Sequence, residues 1–198
     1  RRYKLRRKDL SIALGSWCAG SARLTSTMSG LPFMQCVLFP VDLRYGWDLR
    51  FEEHQHLLRL VDDVFKPYLT TMEPRCKYWG RAGSRRDAEI TSAKRDDERP
   101  MIKFMTLCAI HQVDDRRHSL FENTIGSAMF NESPMVSLIS HPSFRDYVTH
   151  MCQFSGEPDG RRSKKPSKLR SSMKLVKSIR TCRCTRVHVH LRGYDTGQ

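Results

Sequence analysis

The chain has 198 residues, 39% hydrophobic and 28% charged, which suits one domain with one core. No run of about 18 apolar residues occurs, which excludes a membrane-spanning helix, and the first residues lack the apolar core of a secretory signal peptide. The seven cysteines are an odd number spread through predicted core elements, which does not indicate a disulfide framework. These features predict an intracellular, reducing compartment without distinguishing nucleus, cytoplasm or organelle.

The formal net charge of +14 comes from the two ends of the chain. Residues 1–8 contribute six positive charges and residues 160–193 contribute twelve, with no acid in either segment. Such basic flanks favour a polyanionic partner, DNA or RNA above all, because neutralised phosphates release counterions. A solubilising or targeting tail is the alternative. We divide the chain into a basic N-terminal arm (1–8), an α/β core (9–154) and a basic C-terminal part (155–198).

Apolar runs alternate with amphipathic stretches along the chain. Strands are predicted at 9–16, 35–42, 67–74, 118–123, 146–154 and 186–191. Helices are predicted from about residue 22, at 51–65, 99–113 and 133–144, and at 171–180. Residues 77–99 are predicted as a loop or helix start, Pro100 as part of a first helical turn, and 155–170 as a linker. The alternation predicts an α/β fold with a Rossmann-like, mostly parallel sheet and helices on both faces.

Four features fall at the carboxyl ends of predicted strands, where ligands bind in such sheets. They are the turn at 16–23, Asp42, Cys76 and Glu122-Asn123. The turn has small residues that let a ligand approach the backbone, although a mere tight turn explains it equally well. Asp42 could accept hydrogen bonds from ribose hydroxyls or be a surface carboxylate. Their coincidence on one edge of the sheet predicts a binding site there.

The segments "CAGSAR", "PVD", "GWDL", "EPRC" and "FEN" follow one another in this order. The order and spacing resemble the cytosine-5 DNA methyltransferases, whose pattern is Phe-Ala-Gly-x-Gly, two acids, Pro-Pro-Cys and Glu-Asn-Val. The chain is more similar to divergent relatives in protist mobile elements and polyproteins. Those relatives share "CAGSARLT", a Pro-Cys loop, a Glu-Asn segment, "CQF" followed by "KKPS", and a terminal Cys…His-x-His…Gly. The resemblance spans residues 14–193.

The resemblance implies a class I methyltransferase-like fold that binds S-adenosylmethionine. The cofactor would be held by Cys18, Ala19, Gly20, Ser21, Leu24, Asp42 and Asp48. The thiolate of Cys76 would attack C6 of a flipped-out cytosine, Glu122 would hydrogen-bond N3, and Asn123 would hold the cysteine loop. Contacts with the nucleic-acid backbone are predicted for Arg81, Arg85, Arg86, Arg161, Arg162, Lys164, Lys165, Lys168 and Arg170.

The chain departs from the family pattern beside the nucleophile and in the cofactor turn. Arg75 replaces the second proline of Pro-Pro-Cys, and Ala22-Arg23 stand where glycine and a small residue are expected. The sequence therefore leaves two functions open. One is a divergent methyltransferase-like domain, active or inactive, that contacts nucleic acid. The other is a non-catalytic nucleic-acid-binding or ribonucleoprotein assembly subunit that keeps the fold as a scaffold.

Three smaller features have competing interpretations. Tyr78 and Trp79 could stack a base or anchor their loop in the core. His54 and His56 are predicted to lie at the surface, and Met101, Met105 and Leu107 in the core. A C-x-C-x₃-H-x-H pattern has zinc-ligand residue types but not the usual zinc spacing, so packing thiols are favoured and zinc is not expected. Its residues are Cys182, Cys184, His188 and His190.

Overall fold

The computed structural model describes residues 14–18, 23–30, 37–80, 87–150, 166–175, 179 and 181–182. Strands and helices alternate along these residues, so the predicted α/β class is confirmed. The strands are β1 (Leu14–Trp17), β2 (Val37–Val41), β3 (Leu69–Met72), β4 (His118–Thr124), β5 (Arg145–His150) and β6 (Pro166–Ser171). The α-helices are α1 (Arg23–Ser29), α2 (Glu52–Phe65), α3 (Ala88–Asp114) and α4 (Ser133–Ser140).

The strands form a six-stranded sheet in the order β2-β1-β3-β4-β6-β5. Neighbours are parallel from β2 to β4, whereas β6 runs antiparallel to both β4 and β5. The sheet is therefore mixed, with only β6 reversed among the described strands. From β1 the chain passes to β2 on one side, and the next strand, β3, lies on the other side of β1. This reversal opens a crevice at the carboxyl end of β1, the usual ligand site of open α/β sheets.

The strand order and the general rule of right-handed crossovers together indicate how the helices cover the sheet. By that rule α1 lies on one face and α2, α3 and α4 lie on the other. A hydrogen bond from Gln112 of α3 to Asp62 of α2 and the contact between α3 and α4 agree with this arrangement. The core under α3 contains buried Met105, as predicted, and Met101 packs against it. The prediction of Leu107 as core is wrong, since it lies on the outer side of α3 and is 49% exposed. Trp17 stacks on Phe104 with ring centroids 5.9 Å apart.

Helix α3 begins at Ala88, so the prediction of a first turn at Pro100 is wrong. Asp87 caps the helix, its carboxylate accepting hydrogen bonds from the N–H groups of Glu89 and Ile90. Pro100 lies inside the helix, where it has no N–H for the carbonyl of Asp96. Most of residues 88–99 are charged, and their apolar pattern is too weak to show the helix.

The C-terminal part also differs from the prediction. Residues 166–170 were predicted as linker, yet they belong to β6, which pairs with two strands. Residues 172–175 are not helical, so a helix starting at 171 is wrong. The strand predicted at 186–191 and the basic arm 1–8 lie outside the described residues. None of the helices in the described ranges has the length and apolarity to cross a bilayer.

Candidate functional site

A cleft of about 240 Å³ opens where the strand order reverses. Its walls come from the carboxyl ends of β1 and β2, the loop that follows β2, the loop that follows β3, and one side of α3. The cleft brings together Cys18, Asp42, Asp48 and Arg75, which are far apart in the sequence. Of the other predicted cofactor residues, Leu24 lies in the first turn of α1, and Ala19, Gly20 and Ser21 are outside the described residues.

Asp42 follows β2 directly and its side chain is largely buried. Its Oδ1 accepts a hydrogen bond of 3.0 Å from the N–H of Arg44 and so caps the short 3-10 helix Leu43–Tyr45. This cap fixes the carboxylate at the edge of the cleft. The position is suited to accepting hydrogen bonds from a ligand's hydroxyl groups.

Asp48 is paired with Arg50, a residue that the sequence did not single out. Its Oδ1 accepts from Arg50 Nε at 2.8 Å, and its Oδ2 lies 2.5 Å from Arg50 Nη2. These hydrogen bonds lower the pKa of Asp48, so the carboxylate stays ionised. Arg50 Nη1 also donates to Asp97 of α3 at 2.5 Å. Arg50 therefore joins two carboxylates across the cleft.

His54 supports the same loop, and its prediction as a surface residue is wrong. It is half-buried, and its Nδ1 accepts a hydrogen bond of 2.8 Å from the N–H of Asp48. Its ring also packs edge-on against Trp47, which lines the cleft. A histidine placed one turn into an amphipathic helix gave no sign of this contact with the preceding loop.

Cys18 has a structural contact in the cleft wall. Its backbone is left-handed, with φ of 56°, and its thiol lies 3.8 Å from the sulfur of Met101 and 4.0 Å from that of Met105. Burial, reinforced by the charge of Asp42, raises the pKa of the Cys18 thiol far above its usual value. The thiol is therefore protonated and packs the turn after β1 against α3.

The loop that carries Cys76 is tied to the end of β4. Asn123 Nδ2 donates to the carbonyl of Pro74 at 2.9 Å, and the N–H of Gly80 donates to the carbonyl of Cys76 at 2.8 Å. A Cβ at Gly80 would lie 3.0 Å from both that carbonyl oxygen and Oγ1 of Thr124, so a larger residue there would have to displace one of these atoms. Cys76 itself is exposed, while Arg75 before it lines the cleft.

Glu122 and Asn123 are neighbours on β4 whose side chains point to opposite faces of the sheet, because successive strand residues alternate. Asn123 is buried and Glu122 is half-buried. Glu122 pairs across the ladder with Leu169 of β6. The structure thus joins Asn123 to the cysteine loop and places Glu122 on the other face of β4.

Trp79 anchors the cysteine loop in the core. Its side chain is 1% exposed, and its Nε1–H donates to Glu98 Oε2 at 2.5 Å. The guanidinium of Arg95 lies 5.4 Å from the Trp79 ring, and Arg95 Nε donates to the carbonyl of Tyr78 at 2.9 Å. Of the two interpretations, the core anchor is correct for Trp79, whereas Tyr78 is half-buried and lines the cleft.

One face of α3 contacts both the cysteine loop and the turn after β1. It carries Arg95, Glu98, Met101 and Met105 at helical spacing. Burial raises the pKa of Glu98, partly offset by its hydrogen bond from Trp79. Residues 88–99 were predicted only as a loop or helix start, so Arg95 and Glu98 were not placed on one helix face with Met101 and Met105.

Arg170, for which a nucleic-acid contact is predicted, is bound to a carboxylate within the fold. Its side chain is buried, and Nε and Nη2 donate to the two oxygens of Asp146 at 2.7 and 2.9 Å. Lys168 also lies 2.6 Å from Asp146. Both cations pack over the ring of Phe130. The remaining predicted contacts lie outside the described residues: Arg81, Arg85, Arg86, Arg161, Arg162, Lys164 and Lys165.

The zinc-type pattern at the C-terminus is represented only by Cys182 in the described part of the chain. The N–H of Cys182 donates to Nδ1 of His150 at 2.7 Å. Among the described residues, no three His, Cys, Asp or Glu side chains are grouped to hold a metal ion. Cys184, His188 and His190 lie outside them.

No family model, curated protein or solved structure matches this chain. Its function must therefore be argued from the fold and from the cleft.

Proposed function

We propose that this chain is a cytosine-5 methyltransferase-like domain that binds S-adenosylmethionine in the cleft and contacts nucleic acid. The observation that carries the proposal is the convergence of Cys18, Asp42, Asp48 and Arg75 on one cleft. Each comes from a different motif of the sequence resemblance. The cleft also lies at the reversal of strand order, where nucleotide-type ligands bind in open α/β sheets.

The residues of the cleft fit the nucleoside and the cationic centre of this cofactor. The Asp42 carboxylate suits ribose hydroxyls, and Trp47 offers an apolar ring beside it. Four carboxylates (Asp42, Asp48, Asp97, Glu98) face three cations (Arg50, Arg75, Lys94), which favours a positively charged ligand. The volume of about 240 Å³ is just below the ~300–1,000 Å³ of typical ligand pockets, so the described walls accommodate part of the cofactor.

The cysteine loop would supply the covalent chemistry. Bound S-adenosylmethionine provides an electrophilic methyl group. Cytosine C5 becomes a competent nucleophile when a thiolate adds to C6, and exposed Cys76 is the thiol that the fold offers beside the cleft. Asn123 would position that thiol through its bond to Pro74. The cations Arg75 and Lys77 on either side of Cys76 would attract phosphate.

Replacing Asp42 by asparagine is expected to weaken S-adenosylmethionine binding by about 10- to 100-fold, the range for losing a charged hydrogen-bond acceptor. Isothermal titration calorimetry with S-adenosylmethionine and S-adenosylhomocysteine measures this loss. Asp114→Asn is the matched control, because that carboxylate lies at the exposed end of α3 and pairs with His141. A wild-type chain that gives no heat with either compound would overturn the cofactor proposal.

A second function is favoured by a specific contact: Arg50 engages both oxygens of Asp48, and Arg75 occupies the cleft wall where the family has a rigid proline. A cleft wall already occupied by these side chains, with Arg75 exposed, would suit a scaffold that keeps the fold and binds nucleic acid without catalysis. Such a subunit should bind DNA or RNA with affinity that falls as salt rises.

Methyl transfer to cytosine-containing DNA and RNA oligonucleotides separates the two functions. If the domain is an enzyme, we expect transfer by the wild type and none by Cys76→Ala, because the nucleophile is gone. Cys108→Ala is the control, since burial raises the pKa of that thiol to about 12 and removes it from chemistry. Salt-dependent binding without transfer would support the scaffold, and transfer that survives in Cys76→Ala would contradict the assigned nucleophile.

A further inference from the structure

Glu98 belongs both to the wall of the cleft and to the anchor of the cysteine loop. Its side chain lines the cleft, and its Oε2 accepts the hydrogen bond of 2.5 Å from Nε1–H of Trp79. Trp79 is the buried anchor of the cysteine loop and lies three residues after Cys76. A ligand that changes the contacts of the Glu98 carboxylate in the cleft would therefore also change its hydrogen bond to Trp79, the anchor of the loop.

The loop beyond Trp79 is held by hydrogen bonds that respond to its position. The N–H of Gly80 closes the turn on the carbonyl of Cys76, and the carbonyl of Trp79 accepts from the N–H of Ala128 at 2.7 Å. Ala128 begins the 3-10 helix that follows β4. These two amides report whether the loop is closed, because an amide exchanges with solvent only when its hydrogen bond opens.

The negative charge of the Glu98 carboxylate would attract a cationic ligand in the cleft. The carboxylate sits in a partly buried place where an ionised group is costly, and burial raises its pKa accordingly. A cationic group entering the cleft offsets that cost. The Trp79 indole supplies a neutral donor to one oxygen, so a ligand cation and the indole can bind the same carboxylate together.

We propose that Glu98 is a positioning residue through which a cationic ligand in the cleft stabilises the closed Cys76 loop. The identity of the ligand as S-adenosylmethionine rests on the proposed function, whereas the hold of Glu98 on the loop does not. Coupling between two sites is reciprocal. If the ligand stabilises the closed loop, the protein with its loop closed must also bind the ligand more tightly.

Hydrogen exchange of the Gly80 and Ala128 amides tests the hold on the loop without any ligand. Glu98→Ala should speed exchange at both amides by about tenfold, the effect of losing one charge-assisted hydrogen bond. Glu98→Gln should stay within about twofold of the wild type, because the amide oxygen still accepts from Trp79. Unchanged exchange in Glu98→Ala, or equal acceleration in both variants, would overturn the inference.

The same amides with saturating S-adenosylmethionine test the coupling. We expect the ligand to slow exchange at Gly80 and Ala128 in the wild type and to have little effect in Glu98→Gln, whose neutral amide has no charge to offer. Asp96→Asn is the matched control: this neighbouring carboxylate on α3 is exposed, pairs with Arg99 and does not line the cleft, so the ligand should still protect the loop in that variant.

The outcomes of this experiment distinguish the inference from the proposed function. Calorimetric binding with equal protection in the wild type and Glu98→Gln would contradict the coupling while leaving the cofactor proposal intact. A wild-type chain that gives no heat would overturn the cofactor proposal, and the ligand-free exchange of Glu98→Ala would still decide whether Glu98 holds the loop. Exchange at Leu169 of β6 should be unchanged throughout, which excludes a general loss of stability.

Discussion

Replacing Asp62 by alanine is expected to destabilise the fold by about 3–5 kcal/mol, the range for removing one partner of a buried ion pair. Asp62 on α2 is 3% exposed, and its Oδ2 accepts from Nη1 and Nη2 of Arg117 at 3.0 and 3.1 Å. Arg117 is also buried, so the variant would leave a guanidinium away from water with only the exposed carboxylate of Asp115, 3.5 Å from Nη2, as counter-charge.

The loss extends beyond this ion pair, because Asp62 is the end of a buried hydrogen-bond chain. Gln112 donates to Asp62 at 2.8 Å and to Thr70 at 2.6 Å, and its own oxygen accepts from Ser119 at 2.5 Å. The chain joins α2, α3, β3 and β4. Partly satisfied networks of this kind cost more than their separate bonds suggest.

Chemical denaturation of Asp62→Ala and Asp63→Ala provides the measurement and its control. Asp63 is the next residue, exposed, and pairs with His111 at 3.2 Å, so its loss should cost at most about 1 kcal/mol. Adding Arg117→Met to Asp62→Ala should recover part of the stability, because the unpaired charge is gone. If the two variants lost the same free energy of unfolding, the stabilisation assigned to the buried network would be contradicted.

The strands that could be predicted from the sequence are those that carry a run of apolar residues. The first five described strands coincide with five predicted ones, because each carries a short apolar run bounded by turn residues. Strand β6 has only Leu169 as an aliphatic residue, and its two cations are compensated by Asp146 on the neighbouring strand. That compensation is a tertiary contact, and no local pattern in the sequence contains it.

The sequence likewise predicted the site residues that have a local signal, but not those whose roles depend on distant partners. The rule that ligands bind beyond strand carboxyl ends selected Asp42 and the turn that contains Cys18, and the family resemblance added Asp48. The structure places these three residues in one cleft. Arg50 and Glu98 were missed because their roles depend on partners elsewhere in the chain, Asp97 and Trp79. Pairing of this kind is decided by how α3 lies against the loops, and the first half of α3 was predicted only as a loop or helix start.

Replacing Arg170 by alanine is expected to destabilise the fold by about 2–3 kcal/mol, below the ~3–5 kcal/mol of a fully buried pair, because the Asp146 side chain is 31% exposed. Arg170 is 3% exposed and also donates to the carbonyl of Met135 on α4. Its removal would break contacts that join β5, β6 and α4. Thermal and chemical unfolding measure the loss.

Lys168→Ala is the matched comparison, since Lys168 pairs with the same carboxylate but is 24% exposed. Its cost should not exceed about 1 kcal/mol. Burial alone would raise the pKa of Asp146, but hydrogen bonds from Arg170 and Lys168 outweigh it and lower that pKa. The contribution of this cluster is therefore present above the ordinary aspartate pKa of about 3.9 and is lost as pH falls through the lower folded value.

Nucleic-acid binding decides between a structural and a recognition role for Arg170. If its guanidinium is committed to Asp146, the folded fraction of Arg170→Ala should bind DNA or RNA within about twofold of the wild type, with the same dependence on salt. A residue that contacted phosphate would instead reduce the salt dependence by about one counterion when replaced. An Arg170→Ala chain that keeps its stability but loses affinity would restore the sequence prediction. It would also mean that Asp146 releases Arg170 to phosphate in the complex.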